Sequence, residues 1–214
     1  MPVFQAVYHG AVAVFGNYAI VDNVPYWDPR WPMKPWWTGH EERLRRDYPD
    51  QFAVEFARGP AWGLQPSVHN FWLHHATNAA HAAAYRFICD TARFYRDNRR
   101  FLFDGEMLNP GSLACKKVRV PFAEVSVFAE KVTTRTSELP TVFHNVWRSP
   151  SGETAAILVN WSRREQAWKL KSPDVSGEGV LPPRSWLVVS PSPVPPTGGR
   201  TANHSQSKAE PAAS

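Results

Sequence analysis

The stretch from Gln51 to Leu108 constrains this chain most, because its hydrophobic period changes three times within 58 residues. QFAVEF (51–56) alternates bulky apolar residues with others, the period of a strand. ARGPAWGLQPSVHNFWLHH then interrupts any period with Gly, Pro and His, as a loop does. In TNAAHAAAYRFICDTARFYRDNRR, by contrast, Ala80, Ala84, Phe87, Ile88, Thr91, Phe94 and Tyr95 recur at three–four spacing and make one apolar stripe along a helix. Thr77 or Asn78 can cap its start. Arg86–Asp90 and Arg93–Asp97 lie four apart and predict ion pairs on the wet side. Such pairs contribute only a few tenths of a kcal/mol each, so the apolar stripe dominates. FLFDGEML (101–108) reads as a short closing strand.

The chain ahead of this unit repeats the pattern less clearly. VFQAVY (3–8) is rich in β-formers and ends at His9-Gly10, so it reads as an earlier strand. The chain thus opens directly in a strand-like segment, as an internal start point would. PYWDPRWPMKPWWTG (25–39) holds four prolines and five large aromatics, Tyr26, Trp27, Trp31, Trp36 and Trp37, which predicts a folded aromatic loop. Glu41–Tyr48 reads as a short, charged helix. From Lys116 the character changes. KKVRVPF, AEVSVFAEKV, TVFHNVWR, ETAAILVNW, EQAWKLK and SWLVVS are short β-forming runs between turn residues, which argues for an antiparallel sandwich. Ser149-Pro150-Ser151-Gly152 reads as a hairpin loop. Ala155, Ile157 and Val159 alternate with Ala156, Leu158 and Asn160, so that strand is expected to be buried on both faces. PSPVPPTGGRTANHSQSKAEPAAS (191–214) is of low complexity and predicts a disordered tail.

The expected fold is therefore α/β followed by all-β. Residues 1–110 would form the last two strand–helix units of a (β/α) barrel, 111–190 a small antiparallel β-sandwich, and 191–214 the tail. In such a barrel the outward face of a strand packs on helices and the inward face fills the lumen. Phe52, Val54 and Phe56 suit the first role, and Ala53, Glu55 and Ala57 the second. Glu55 would then be an inward carboxylate near a strand's C-terminal end, where barrels keep their chemistry.

Charge and composition narrow the partners. The net charge is +5, but the basic residues are dispersed, and the densest run, Glu41-Glu42-Arg43-Leu44-Arg45-Arg46, is mixed in sign. A solvated helix face accounts for it, and no nucleic-acid patch is expected. No apolar run is long enough to cross a membrane. Cys89 and Cys115 are expected as thiols, mid-helix and in a loop; neither belongs to a CxxC or Cys/His metal spacing. His74, His75 and His81 find no carboxylate in the sequence pattern to complete a set, so they read as surface histidines, and neither metal nor cofactor is expected.

VFQAVYHG with its aromatic loop, Gly-Leu-Gln-Pro, FLFDGEMLNP, VWRSPSGETAAILVNWS and LPPRSWLVVS together resemble the C-terminal part of bacterial glycoside-hydrolase-like TIM-barrel proteins, a family that includes many members of unassigned activity. The W-R-S-x-x-G-E and L-V-N-W-S segments are similar to those in the C-terminal sandwiches of many glycosidases. The resemblance implies carbohydrate as the partner and sugar-contacting loops at the barrel rim. Tyr8, His9, Trp27, Trp36, Trp37, Trp62, Gln65 and His69 are the candidate contacts: indoles stack on pyranose faces, and His and Gln bind hydroxyls. A full barrel has eight strand–helix units and about 250 residues, so a missing N-terminal barrel segment is a further expected partner. Hydrolysis needs two carboxylates about 5–10 Å apart. None of Asp22, Asp28, Glu55, Asp104 and Glu106 forms a recognisable pair by spacing, so the catalytic residues stay unassigned, with Glu55 a candidate only from its expected inward position. The chain is expected to be inactive alone; the alternatives are a non-catalytic carbohydrate-binding module and a structural or interaction sandwich.

Overall fold

The richest β-formers in the chain pair with one another at its centre. β7 (Val142–Arg148) and β8 (Thr154–Asn160) form an antiparallel hairpin. Ser149–Gly152 closes it, with the Gly152 N–H donating to the Ser149 carbonyl at 2.9 Å and Gly152 at φ 88°. The structure, a computed structural model, describes residues 3–9, 11–12, 14, 19–22, 42–69, 71, 73–124 and 133–191.

β11 (Ser185–Val189) flanks β8, and β3 (Glu106–Met107) flanks β7, giving a four-stranded antiparallel sheet. A second sheet of β10 (Ser176–Leu181), β9 (Gln166–Lys171) and β4 (Ser112–Cys115) faces it. Between the sheets, Val142, Val146, Ala156 and Leu158 meet Trp168, Leu170, Val175 and Leu181. The opposite face of the first sheet is also covered, because strand side chains alternate. Phe143, Trp147, Ala155, Ile157 and Val159 point to a helical layer. That layer holds α3 (Gln51–Ala61), α5 (Ala82–Asp97) and α6 (Arg99–Leu102). β8 is accordingly buried on both faces, as its alternation of two apolar sets requires.

β5 (Lys117–Glu124) and β6 (Thr133–Pro140) form a separate hairpin whose Val120 and Phe122 join the α3 core. Gln51 clips it in place. Its buried amide donates to the Ala123 carbonyl at 3.2 Å and accepts the Ala123 N–H at 2.8 Å, copying the bonds of a strand neighbour. β1 (Ala19–Ile20) and β2 (Val68–His69) make a two-residue parallel pair beside α3. α1 (Val3–Tyr8), α2 (Arg43–Asp47) and α4 (Leu73–Thr77) are short helices.

The partial barrel is not what these residues form. Among the described residues the architecture is mostly antiparallel sheet with few helices, and no repeating strand–helix units appear. The two segments read as barrel strands are both helical: VFQAVY is α1, and QFAVEF opens α3. The apparent alternation in QFAVEFA arises because small Ala residues separate the large ones. On a helix, Phe52 and Phe56 lie one turn apart and stack, with ring centroids at 5.5 Å. Nine of the eleven α3 residues are buried, leaving only Glu55 and Arg58 half-covered. An element buried nearly all round shows no polar face, and period alone then misleads.

The long helix forms as expected. The Asn78 side chain accepts the Ala80 N–H at 2.9 Å and starts a single 3-10 turn, Ala79–His81, that leads into α5. Phe87 and Thr91 are buried and Ala84, Ile88, Phe94 and Tyr95 half-buried, whereas Ala80 is exposed. The ion pairs differ from the expected spacing: Arg93 meets Asp90 at 3.0 Å, and Arg96 meets its neighbour Asp97 at 2.8 Å. FLFDGEML is helix first and strand last, split between α6 and β3. Cys115 lies in β4, not in a loop.

Candidate functional site

Among the described residues, two places gather chemistry-bearing side chains. The first is a hollow of about 110 Å³ where the end of α1 meets the turn after α3. His9, Gly63, Gln65, Tyr95 and Phe103 are among its walls. Gly63 takes φ 78°, and a methyl group there would stand 2.5 Å from His9 Nε2 and 2.6 Å from the Trp147 ring. Glycine thus lets His9 and Trp147 close on the chain, with their ring centroids 4.7 Å apart. His9 sits 2.8 Å from the Gly105 carbonyl through Nδ1 and 2.8 Å from the Leu102 carbonyl through Nε2. A neutral imidazole can donate to only one of these; the imidazolium serves both. The Tyr95 hydroxyl reaches the carbonyls of Gly63 and Leu102, each at 3.2 Å. Burial, with Asp104 second, pushes its ionisation up to about 12, so it stays a hydrogen-bond donor.

The expected sugar contacts are therefore only partly assembled. His9 and Gln65 share the hollow, but the His9 nitrogens are committed to main-chain carbonyls. Tyr8 is next to His9 on α1 and is exposed. Trp62 caps α3, half-buried, with the Arg58 guanidinium 5.5 Å over its ring, and serves as packing for both helical cores. His69 pairs with Ile20 in the β1–β2 ladder, and its side chain is outside the described residues. Trp27, Trp36 and Trp37, with the rest of the aromatic loop and Asp28, also lie outside them, as does the tail from residue 192.

Glu55 is not an inward strand carboxylate. It lies on α3, where it accepts a hydrogen bond from Gln51 Nε2 at 3.0 Å. Burial raises its pKa above the usual carboxylate range, opposed by that hydrogen bond and by Arg58. Asp104 and Glu106 are spent on arginines, at 3.3 Å from Arg99 and 3.2 Å from Arg148.

No family model, no curated protein and no solved structure matches this chain.

The second place is one the sequence pattern concealed. His75 and His81, expected on the surface, are 2% and 5% exposed. Their ring centroids are 4.7 Å apart, edge to face. Asp22, 6% exposed, meets His81 Nε2 directly through Oδ2. Arg45 Nε approaches the other Asp22 oxygen at 3.3 Å. Asp22 is 53 residues ahead of His75, and only the tertiary fold brings the bend after β1 to the two histidines. The one sequence-level signal was six-residue spacing of His75 and His81 around a helix start.

Proposed function

We propose that this chain serves carbohydrate recognition without catalysis of its own, as the accessory C-terminal part of a carbohydrate-active, glycoside-hydrolase-like protein. The observation that carries the reading is the β7–β8 hairpin. Its W-R-S-x-x-G-E and L-V-N-W-S segments are the ones similar to the C-terminal sandwiches of glycosidases, and they occupy the centre of the sheet layer here. Their residues act as framework: Trp147 is fully buried, Trp161 donates to the Pro140 carbonyl at 2.8 Å, and Asn160 binds the loops at the sheet's end. A non-catalytic role fits the carboxylates. Glycoside cleavage needs a pair flanking the bond, whereas Glu55 rests against Gln51 and Asp104 and Glu106 are held in ion pairs. Gln65 and the exposed Tyr8 beside the His9 hollow are the described groups best placed to meet a sugar.

Affinity electrophoresis of the full chain through polysaccharide-containing gels, with aryl-glycoside hydrolysis measured in parallel, tests this. Retardation by at least one polysaccharide, weakened severalfold by Gln65→Ala or Tyr8→Ala, is expected, with no hydrolysis above buffer. Hydrolysis by the chain, or passage through every gel unretarded, overturns the proposal.

A further inference from the structure

We infer that Asp22, His75 and His81 form a binding site for one divalent transition-metal ion of the zinc class. Each of the three offers a ligand atom, and these atoms lie within 4.8 Å of one another. All three residues are buried. Zinc–nitrogen and zinc–oxygen bonds of about 2.0–2.2 Å hold tetrahedral ligand atoms roughly 3–3.5 Å apart. Reaching that figure closes the widest of the present separations by up to about 1.3–1.8 Å. The direct contact between Asp22 Oδ2 and His81 Nε2 opens as the ion enters between them.

The cost of burial is the physical reason to expect an ion. Two imidazoles and a carboxylate removed from water need partners for their polar atoms. His81 Nδ1 is buried without a hydrogen-bond partner, and Asp22 Oδ1, which also accepts no hydrogen bond, has the Arg45 ion pair at 3.3 Å. An ion held between Asp22 Oδ2 and His81 Nε2, with a ring nitrogen of His75 as its third ligand, compensates the burial of the carboxylate and imidazoles at the cluster's centre. Arg45, 3.3 Å from Asp22, then holds the carboxylate oxygen that the ion leaves, as outer-shell donors do around metal ligands.

The donor set selects the ion. Two imidazoles and one carboxylate suit Zn²⁺, Co²⁺, Ni²⁺ or Fe²⁺. Calcium and magnesium need a larger set of oxygens. Cuprous copper favours sulfur, and Cys89 and Cys115 lie on α5 and β4 outside the cluster. Three protein ligands leave at least one position on the ion for water or a ligand, the composition of open metal sites and not of closed structural ones. A cleft of about 670 Å³ begins next to the cluster, lined by Val21, Arg45 and Ala80, and continues past Arg163 and Arg184. The ligands come from three places: the bend just after β1, α4, and the 3-10 turn before α5. An ion here therefore ties the parallel pair to the helical layer.

The test uses the full chain, freed of metal by chelator and equilibrated with equimolar Zn²⁺ at micromolar concentration, with bound metal counted per chain. One zinc per chain is expected. Asp22→Asn, His75→Gln and His81→Gln should each weaken binding at least tenfold, while His204→Gln, in the C-terminal segment, leaves it unchanged. Because a buried variant can fail to fold, Co²⁺ loading of the unaltered chain provides a second readout. Intense tetrahedral ligand-field bands without a thiolate charge-transfer band are expected. Substoichiometric zinc in the unaltered chain, binding that all three variants retain, or a cobalt–thiolate band that places the ion on cysteine would each overturn the site.

Discussion

Gly63 is the position where one atom decides most. A side chain there would carry a φ of 78° and meet both His9 and Trp147. Gly63→Ala should cost about 2–4 kcal/mol, from the left-handed backbone and from overpacking. Urea denaturation measures it, and adding His9→Ala should recover part of the loss because that ring is the nearest obstacle. Asn160 works by bonds instead of space. Its fully buried amide reaches the Arg164, Leu181 and Pro182 carbonyls and accepts from Ser162 N–H and hydroxyl, joining two loops. Asn160→Ala leaves those groups unpaired and should cost about 2–4 kcal/mol by the same assay. Glu55 gives a pH signature. Its folded pKa is raised, so the folded state holds the proton more tightly than the unfolded one. Stability from this group is then lost as pH rises through the folded pKa. Glu55→Gln should raise the melting temperature at neutral pH and leave it unchanged below the carboxylate range; the opposite order would show the carboxylate to be stabilising. None of these three roles was legible in the sequence. Gly63 and Asn160 depend on contacts between residues distant along the chain, as Asp22 with His81 also does, and Glu55 depends on the burial of α3.

At the scale of elements, legibility followed how much water each one meets. α5 was readable because one side is wet and the other dry, so its three–four stripe stands out. α3 was not, because burial on nearly all sides erased the polar face. β7 and β8 announce themselves through Val, Ile, Phe and Trp, with a Ser-Pro-Ser-Gly turn between them. β10 escaped notice for the opposite reason: SGEGVL is poor in β-formers. Its glycines are used for packing. The Trp168 ring lies over Gly177 and Gly179, where added methyl groups would stand 3.5 and 3.3 Å from it. β6, TTRTSELP, was missed because its exposed, polar side chains show no apolar alternation. The α5 docking also makes a prediction. Phe87 is buried, edge-on to Phe56 at 5.9 Å, and the Arg184 guanidinium sits 5.5 Å over its ring. Phe87→Ala should cost about 3–5 kcal/mol in urea unfolding, and a loss under 1 kcal/mol would refute the stripe as the docking face.

For the whole molecule, the decisive fact is that one sheet has two covered faces. β7 and β8 give Val142, Val146, Ala156 and Leu158 to the second sheet and Phe143, Trp147, Ile157 and Val159 to the helices. Further links cross between the layers: Trp186 of β11 donates to Thr91 at 2.9 Å and stacks on Phe94 with centroids 5.0 Å apart. Helices and sheets therefore lean on the same strands, and removing either layer exposes apolar surface on the other. Sequence reading recovered the central antiparallel strands, β7, β8, β9 and β11, but assigned the helical segment to a barrel, since the shared sheet is visible only once the hairpin's two faces have been placed. α3, α5 and both sheets should therefore unfold as one unit. Hydrogen exchange of the full chain across a urea series measures this most directly. Segments 51–61, 82–97, 142–160 and 166–171 are expected to lose protection together, at one free energy. Loss of protection in 51–61 and 82–97 at low urea, with 142–171 still protected, would contradict it.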